Sequence, residues 1–175
     1  FAEISFYNQS ADRLLFYACP HAILSYVIDY TTIAESHASH AFAAGLLLCI
    51  TIDGGEANLR KRPGLARHIA KLAALRKKCA DRIANGRFRH TEGLSCENSD
   101  GVNAYCYDSN HGPAVVIAAG ENGGTAQVKI NKAQFNLPDN RATKLIDLDL
   151  NESVIPVATE LELTLRSNQV IVWYI

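Results

Sequence analysis

Residues 63–86, PGLARHIAKLAALRKKCADRIANG, decide how the chain divides into two kinds of structure. Pro63 fixes φ in the first turn of a helix, and Asn85-Gly86 is typical of the left-handed residue that ends one. Between them, apolar residues recur at spacings of three and four: Leu65, Ile69, Leu72, Leu75, Cys79 and Ile83. The stretch predicts one amphipathic helix, with Leu72 and Ile83 on an apolar interface that it shares with the rest of the chain.

The residues before this helix follow the order of a parallel α/β fold. Residues 14–19 and 23–28 are apolar runs, and at least one of them is predicted to be a strand. A threonine pair can cap a following helix over residues 33–44. The nearly unbroken apolar run 46–52 suits a strand buried on both faces of a parallel sheet. In such folds the functional residues usually lie at the carboxyl ends of the strands.

After Gly86 the apolar period changes to two, which indicates strands. Residues 102–107 and 126–130 alternate between apolar and polar, and residues 114–119 are continuously apolar. Turn formers separate the three segments, so they are predicted to form a meander, with a hairpin turn at 120–124. Further strands are predicted around residues 144–150, 161–165 and 170–175. This second half is therefore predicted to be an antiparallel β-sandwich.

Composition and charge narrow the classes of partner. The chain has 175 residues and a formal net charge of -1, which by itself favours neither polyanionic nor polycationic partners. No run approaches the roughly 18 apolar residues of a membrane span, so no membrane partner is predicted. Five cysteines without a CxxC pair favour a reducing, cytoplasmic compartment, and Cys19, Cys49 and Cys79 are predicted to be buried thiols. The absence of methionine predicts a fragment or a processed piece.

Several motifs together resemble the carboxy-terminal part of TIM-barrel glycoside hydrolases. They are the helix Pro-x-Leu…Leu-Arg-Lys-x-x-Ala-Asp, the Gly86-Arg87-Phe88 that follows it, and Val-x-Ala-Tyr…Ala-Val-Val-Ile in the strands. In that group the last barrel helix leads into an antiparallel β-sandwich. The resemblance covers residues 46–175 and implies that residues 46–52 are the last barrel strand, with 23–28 or 14–19 as the strand before.

The resemblance also implies a division of the chain and a function. Residues 1–88 would be the terminal portion of a (β/α) barrel, and residues 89–175 a C-terminal β-sandwich domain. Because a whole barrel takes about 250 residues, the main catalytic carboxylates are expected upstream and the chain alone is expected to be inactive. The expected partners are a carbohydrate substrate and the remainder of the barrel or another chain, and no cofactor is implied.

Three residues near the predicted strands are candidate substrate contacts. Asp29 and Asp53 each follow an apolar strand, where barrel enzymes place acids, bases and hydroxyl-binding groups. His21 could bind a sugar hydroxyl in the same region. Carboxylates also form turns and cap helices, and a histidine is as often a structural hydrogen-bonding residue, so these alternatives stay open.

Two other activities compete with carbohydrate chemistry. Glu35, His37 and His40 lie on one predicted helix, where the two histidines share a face. Zinc needs three or four protein ligands and the sequence places no third one there, so no metal is predicted. Residues 60–89 hold eleven of the seventeen basic residues and one acid, which could serve a nucleic-acid-associated protein. No aromatic residue interleaves the basic residues between Arg60 and Arg87, so nucleic acid is an unlikely partner. A non-catalytic carbohydrate-binding or structural module is the other alternative.

Overall fold

The structure is a computed structural model that describes residues 3–7, 23–51, 58–97, 101–135, 143–156 and 159–175, with only the backbone given for residues 3–7, 23 and 24. The first half contains β1 (Glu3–Tyr7), β2 (Ile23–Asp29), α1 (Glu35–Ala43), β3 (Leu47–Thr51), a 3₁₀ turn (Leu59–Lys61), α2 (Pro63–Lys78) and a π-helical segment (Ala80–Ala84). The second half contains β4 (Arg87–His90), β5 (Leu94–Glu97), β6 (Val102–Asp108), β7 (Ala114–Ala119), β8 (Gly124–Ile130), α3 (Lys132–Phe135), β9 (Thr143–Asp147), β10 (Glu152–Ile155), β11 (Glu160–Leu165) and β12 (Val170–Tyr174).

The predicted parallel pairing of residues 23–28 with 46–52 is present as β2 and β3, and β1, which was not predicted, extends the sheet in the order β1-β2-β3. The other predicted strand, residues 14–19, lies outside the described residues. Helix α1 connects β2 to β3, and the two strands pair so that Asp29 lies opposite Thr51. The prediction that residues 46–52 are buried on both faces is wrong for β3, because Leu47 is 51% exposed and Cys49 is also exposed. The helix layer covers only the opposite face, where Leu48 packs against the core. Of the three cysteines predicted to be buried, Cys79 is buried, the prediction is wrong for the exposed Cys49, and Cys19 lies outside the described residues.

The predicted long helix is present, but it changes its winding before it ends. Helix α2 begins at Pro63 as predicted, and a π-helical segment follows it from Ala80 to Ala84. The predicted stripe faces the core, with Ile69 partly buried and the other five residues buried. The prediction of a left-handed stop at Gly86 is wrong, since its φ is not positive. A Cβ on Gly86 would lie 2.0 Å from the carbonyl oxygen of Arg82, so glycine is needed there for close backbone approach.

The second half consists of two antiparallel sheets. The six-stranded sheet has the order β10-β9-β12-β7-β6-β4, and the three-stranded sheet has the order β11-β8-β5. The β6–β7 hairpin is as predicted, but the three-stranded meander is wrong because β8 pairs with β5 and β11 instead of β7. Residues 120–124 therefore connect the two sheets and are not a hairpin turn. The buried side of β8 instead packs against β7 from the opposite sheet. The alternating pattern of β8 is as compatible with this packing as with pairing to β7 in one sheet.

Besides a smaller cluster in which Tyr26 packs with Ala41 and Ala44, two apolar cores flank the six-stranded sheet. One lies between the helices and the six-stranded sheet, where Leu72 and Ile83 pack with Val116 and Val172. The other lies between the two sheets and includes the fully buried Trp173. The prediction that Leu72 and Ile83 lie on a shared interface is confirmed, since one cluster contains residues of both halves. In the part of the chain that the structure describes, no helix is both long and apolar enough to span a membrane.

Candidate functional site

The carboxyl edge of the parallel sheet brings together the ends of β2 and β3. Asp29 ends β2 and Thr51 ends β3, and the Tyr30 backbone N–H donates to the Thr51 carbonyl at 3.0 Å. The Tyr30 hydroxyl donates to the carbonyl of Asn58 at 2.9 Å, just before the 3₁₀ turn. The segment after β2 is therefore joined both to β3 and to the chain that leads into α2.

Asp29 organises the turn after β2. Its Oδ1 accepts hydrogen bonds from the Thr31 hydroxyl and from the Thr31 backbone N–H, the latter at 2.7 Å. These two hydrogen bonds hold the pKa of the Asp29 carboxyl below its usual range, so the group is a charged acceptor near neutral pH. Asp29 thus lies at the predicted edge and also performs the turn-forming role considered beside it. Asp53 and His21 lie outside the described residues.

Arg62 is a part of this edge that sequence reasoning missed. Its Nη1 donates to the Tyr30 carbonyl at 2.8 Å and its Nη2 donates to the Ile33 carbonyl at 2.6 Å. The guanidinium carbon also lies 5.7 Å from the centroid of the Tyr30 ring. Arg62 precedes Pro63 at the start of α2, where a cation is disfavoured by the helix dipole. That unfavourable position was the one signal in the sequence that the Arg62 side chain contacts residues outside its own helix.

The three residues weighed as metal ligands lie on α1 but do not converge. His37 Nδ1 accepts a hydrogen bond from the backbone N–H of Ala34 at 2.9 Å, which caps the helix. His40 packs between the rings of Tyr26 and Tyr105. Glu35 accepts a hydrogen bond from the Asn168 side chain at 3.3 Å. Among the described residues, no group of three histidine, cysteine or acidic side chains could hold a metal ion.

A buried polar pair joins α1 and α2 where sequence reasoning saw only an apolar stripe. His68 Nε2 and Ser39 Oγ are 2.8 Å apart, and Ser39 Oγ donates to the Asn168 carbonyl at 3.2 Å. Because that hydroxyl proton is used, His68 Nε2 is the donor to Ser39. Burial lowers the pKa of His68, and the nearby Lys71 acts in the same direction while Glu35 opposes it. The pair links both helices to the turn between β11 and β12.

Several of the basic residues of 60–89 already have partners within the chain. Lys71 forms an ion pair with Asp149, and Lys78 forms one with Glu152 at 2.6 Å. The buried Arg82 donates from Nη1 to the main-chain oxygens of Pro113 and Ile175 at 3.0 and 3.1 Å. Phosphate contacts come from lysines and arginines that are available to bind from solvent. These internal contacts argue against the nucleic-acid alternative.

No known family model matches the sequence, and no curated protein matches it. Solved structures, in contrast, match most of the chain. AmyP in complex with maltose has a TM-score of 0.57 and 12% identity, over 92% of this chain and 42% of its own. The maltogenic α-amylase AmyB from Thermotoga neapolitana also has a TM-score of 0.57, with 10% identity over 93% of this chain and 44% of its own.

A GH30 endoxylanase from Clostridium papyrosolvens has a TM-score of 0.53 and 12% identity, over 98% of this chain and 47% of its own. This chain therefore spans less than half the length of each of the three structures. At this identity the similarity shows the fold alone. The fold is a mostly β arrangement with few helices, and it occurs as part of larger glycoside hydrolases.

Proposed function

We propose that this chain is the carboxy-terminal portion of a carbohydrate-active glycoside hydrolase. In this proposal residues 1–88 are the end of a (β/α) barrel, residues 89–175 are its β-sandwich domain, and the main catalytic carboxylates are upstream. The observation that carries the proposal is the order of architecture. A parallel strand-helix-strand-helix series leads into two antiparallel sheets packed on its helices. Solved glycoside hydrolases that match more than nine-tenths of this chain support the proposal.

The carboxyl edge of the parallel sheet would then face the substrate. Asp29, Asp53 and His21 are proposed to contact sugar hydroxyls from this edge, with Arg62 fixing the turn that carries Asp29. The charged state of Asp29 supports the proposal, since a carboxylate accepts hydrogen bonds from hydroxyl groups. Charged acceptors contribute about 1.5–3 kcal/mol per hydrogen bond, so each contact would matter for affinity.

The test uses the reading frame extended upstream of Phe1. The extended protein should hydrolyse at least one member of a panel chosen from the similar structures: maltotriose, xylan and an aryl α-fucoside. The 175-residue chain alone should hydrolyse none of them. In the extended enzyme, Asp53→Asn should lower turnover or affinity by about ten- to a hundredfold. Glu162→Gln, on the exposed face of β11, is the matched control and should leave the kinetics unchanged.

Two results would contradict the proposal. One is an upstream sequence that contains no further strand-helix repeats. The other is an extended protein that folds and hydrolyses no glycoside of the panel. The extended enzyme could also be active but unaffected by Asp53→Asn and Asp29→Asn. That result would still support the proposed class of protein, and it would show that these two residues do not contribute to substrate binding.

A further inference from the structure

A separate groove lies on the other side of α1, where the helix faces the ends of β6 and β7. Its volume is about 430 Å³, and its polar and aromatic lining comprises Tyr26, Ser36, His37, His40, Asn103 and Glu121. Small residues from 118 to 120 form the rest of the lining. Asp29 does not line it, so the groove is distinct from the carboxyl edge of the parallel sheet. Pockets of roughly 300–1,000 Å³ are typical of sites for small molecules.

One wall of the groove is a fixed set of rings. The Tyr26 ring stacks on His37 with centroids 6.5 Å apart and an interplanar angle of 24°. His40 meets the Tyr26 ring edge-on at 6.3 Å and the Tyr105 ring edge-on at 6.2 Å. Tyr26 is 2% exposed and packs among Ala41, Ala44 and Leu46, so it holds the wall in place. A rigid ring wall beside small residues favours a flat ligand with an apolar face.

The rest of the lining offers both donors and acceptors. His37 Nδ1 already accepts from the Ala34 backbone, so His37 Nε2 carries the proton and is a donor. Ser36 Oγ donates to Glu121 Oε1 at 3.1 Å, which orients a carboxylate whose other oxygen can accept. Asn103 is exposed and its amide supplies one further acceptor and two donors. Such a lining suits a ligand with several hydroxyl groups, each of which donates and accepts.

The charges of the groove disfavour ions. Burial, aided by the nearby His37, lowers the pKa of His40, so this imidazole is neutral near pH 7. Glu121 is the one acidic residue among the lining residues, and it would repel an anion. A divalent cation would need more ligands, and the described part of the chain has no group of three suitable side chains. An anion and a divalent metal ion are therefore disfavoured, and a neutral ligand with several hydroxyl groups uses the donors and acceptors of the lining together.

We propose that the groove between α1 and the ends of β6 and β7 binds a small neutral saccharide. The sugar ring packs on the His37 ring, which the buried Tyr26 supports from behind, and its hydroxyls bond with His37 Nε2, Asn103 and Glu121. The proposal concerns binding by this chain itself and does not depend on the catalytic role proposed above. It assigns the second half of the chain a part in the site, since Asn103 and Glu121 belong to β6 and to the turn after β7.

The experiment follows the imidazole signals of the 175-residue chain by NMR with isotope-labelled histidine. Maltotriose and xylotriose are titrated in turn, near pH 7.5, to millimolar concentrations. At least one of them should shift the His37 and His40 signals saturably. The exposed His111 in the β6–β7 turn should not move. Glu121→Gln and Asn103→Ala should each weaken binding by about tenfold, the effect of one lost hydrogen bond to a polar or charged group.

Asn122→Ala is the matched control, because Asn122 is exposed in the same turn as Glu121 but does not line the groove. It should bind as the parent chain does. The proposal is overturned if neither saccharide shifts His37 and His40, or if Asn122→Ala weakens binding as much as Glu121→Gln. It is also overturned if inorganic phosphate or Zn²⁺ shifts these histidines more strongly than either sugar. An inactive extended enzyme would leave this binding result unaffected, so the two proposals fail separately.

Discussion

Arg62 joins two segments that are far apart in sequence by placing one guanidinium against two carbonyl groups. Its hydrogen bonds reach Tyr30 and Ile33, which are 32 and 29 positions away. The position of Asp29 at the sheet edge could be predicted because the residue ends an apolar strand. The hydrogen-bond partners of Arg62 could not be predicted, since no local pattern encodes a partner at that distance. The same holds for His68, whose spacing on α2 resembles a core position but whose partner is Ser39. Single-residue roles were predictable only where the neighbouring sequence determines them.

Arg62→Ala should destabilise the chain because it removes two hydrogen bonds from a charged donor. Hydrogen bonds to charged groups contribute about 1.5–3 kcal/mol each, and water compensates part of the loss because Arg62 is only partly buried. We therefore expect a loss of roughly 2–4 kcal/mol in the free energy of unfolding, measured in urea. Arg67→Ala, on the exposed face of the same helix, should change it by no more than about 0.5 kcal/mol. Equal effects of the two substitutions would show that the Arg62 contacts do not stabilise the turn.

His68 should make the stability depend on pH in a defined window. The fold lowers the pKa of His68, so the unfolded chain takes up a proton first as the pH falls below about 6.5. Stability is therefore fully present above that pH and declines as the pH falls toward the folded pKa, by at most about 1.4 kcal/mol per pH unit for one histidine. His40 is partly buried, and its pKa is also lowered by burial, so it adds to the same slope.

Urea unfolding between about pH 7.5 and pH 5 measures this slope. The carboxyl groups whose pKa values are lowered by the fold begin to titrate only below this range. His68→Gln keeps a donor for Ser39 and should flatten the slope, while His111→Gln should leave it unchanged. An unaltered slope in His68→Gln would mean that the unfolding transition does not sense this proton. The measured quantity is the slope of stability against pH, so a uniform loss of stability in the variant would not produce the expected result.

At the scale of elements, the apolar periodicity predicted whether a segment is a helix or a strand better than it predicted which strands pair. The stripe of α2 and the strands β6, β7, β9, β11 and β12 were all expected from sequence, because each is long or strongly patterned. The four-residue strands β5 and β10 gave too short a pattern to be recognised. The partner of β8 was predicted incorrectly because its alternation specifies which face is buried but not which sheet it joins. The exposure of one face of β3 was not predicted for a similar reason, because an apolar composition does not indicate which element covers the strand.

Leu72→Ala should be among the more costly substitutions in the helix layer. Leu72 is 5% exposed and packs in the cluster shared by the helices and the six-stranded sheet. Large-to-small changes in such cores cost about 2–5 kcal/mol, and we expect a loss in this range by urea unfolding. Leu47→Ala is the matched control, because Leu47 is half-exposed on the uncovered face of β3 and should lose much less. If both leucines cost the same, the shared cluster is not the main support of this layer.

At the scale of the whole molecule, the two halves differ in how well each could stand alone. The parallel sheet has three strands among the described residues, and the helices bury their apolar stripe against the antiparallel sheet that follows. The second half keeps the core between its two sheets, which includes Trp173. Its outer face, however, carries Val116 and Val172 and would be uncovered without the helices.

Residues 1–86 expressed alone should therefore show no cooperative thermal transition, because their apolar stripe and sheet edges would be left without partners. Residues 87–175 start at β4 and should retain strand structure by circular dichroism, with a lower Tm than the full chain and with binding of a hydrophobic dye to the uncovered face. A cooperative transition in residues 1–86 would instead make that half an independent domain.

The position of β12 in the six-stranded sheet affects how the chain can fold as it is synthesised. This strand comes after every other strand in the chain, yet it lies between β9 and β7 in the interior of the sheet. Between the end of β7 at Ala119 and the start of β12 at Val170, a ribosome needs roughly 3–10 s at about 5–20 residues per second. Throughout that interval one side of β7 has no neighbouring strand and the stripe of α2 is incompletely covered. A nascent chain stalled before Val170 is therefore the form of this molecule that chaperones would bind.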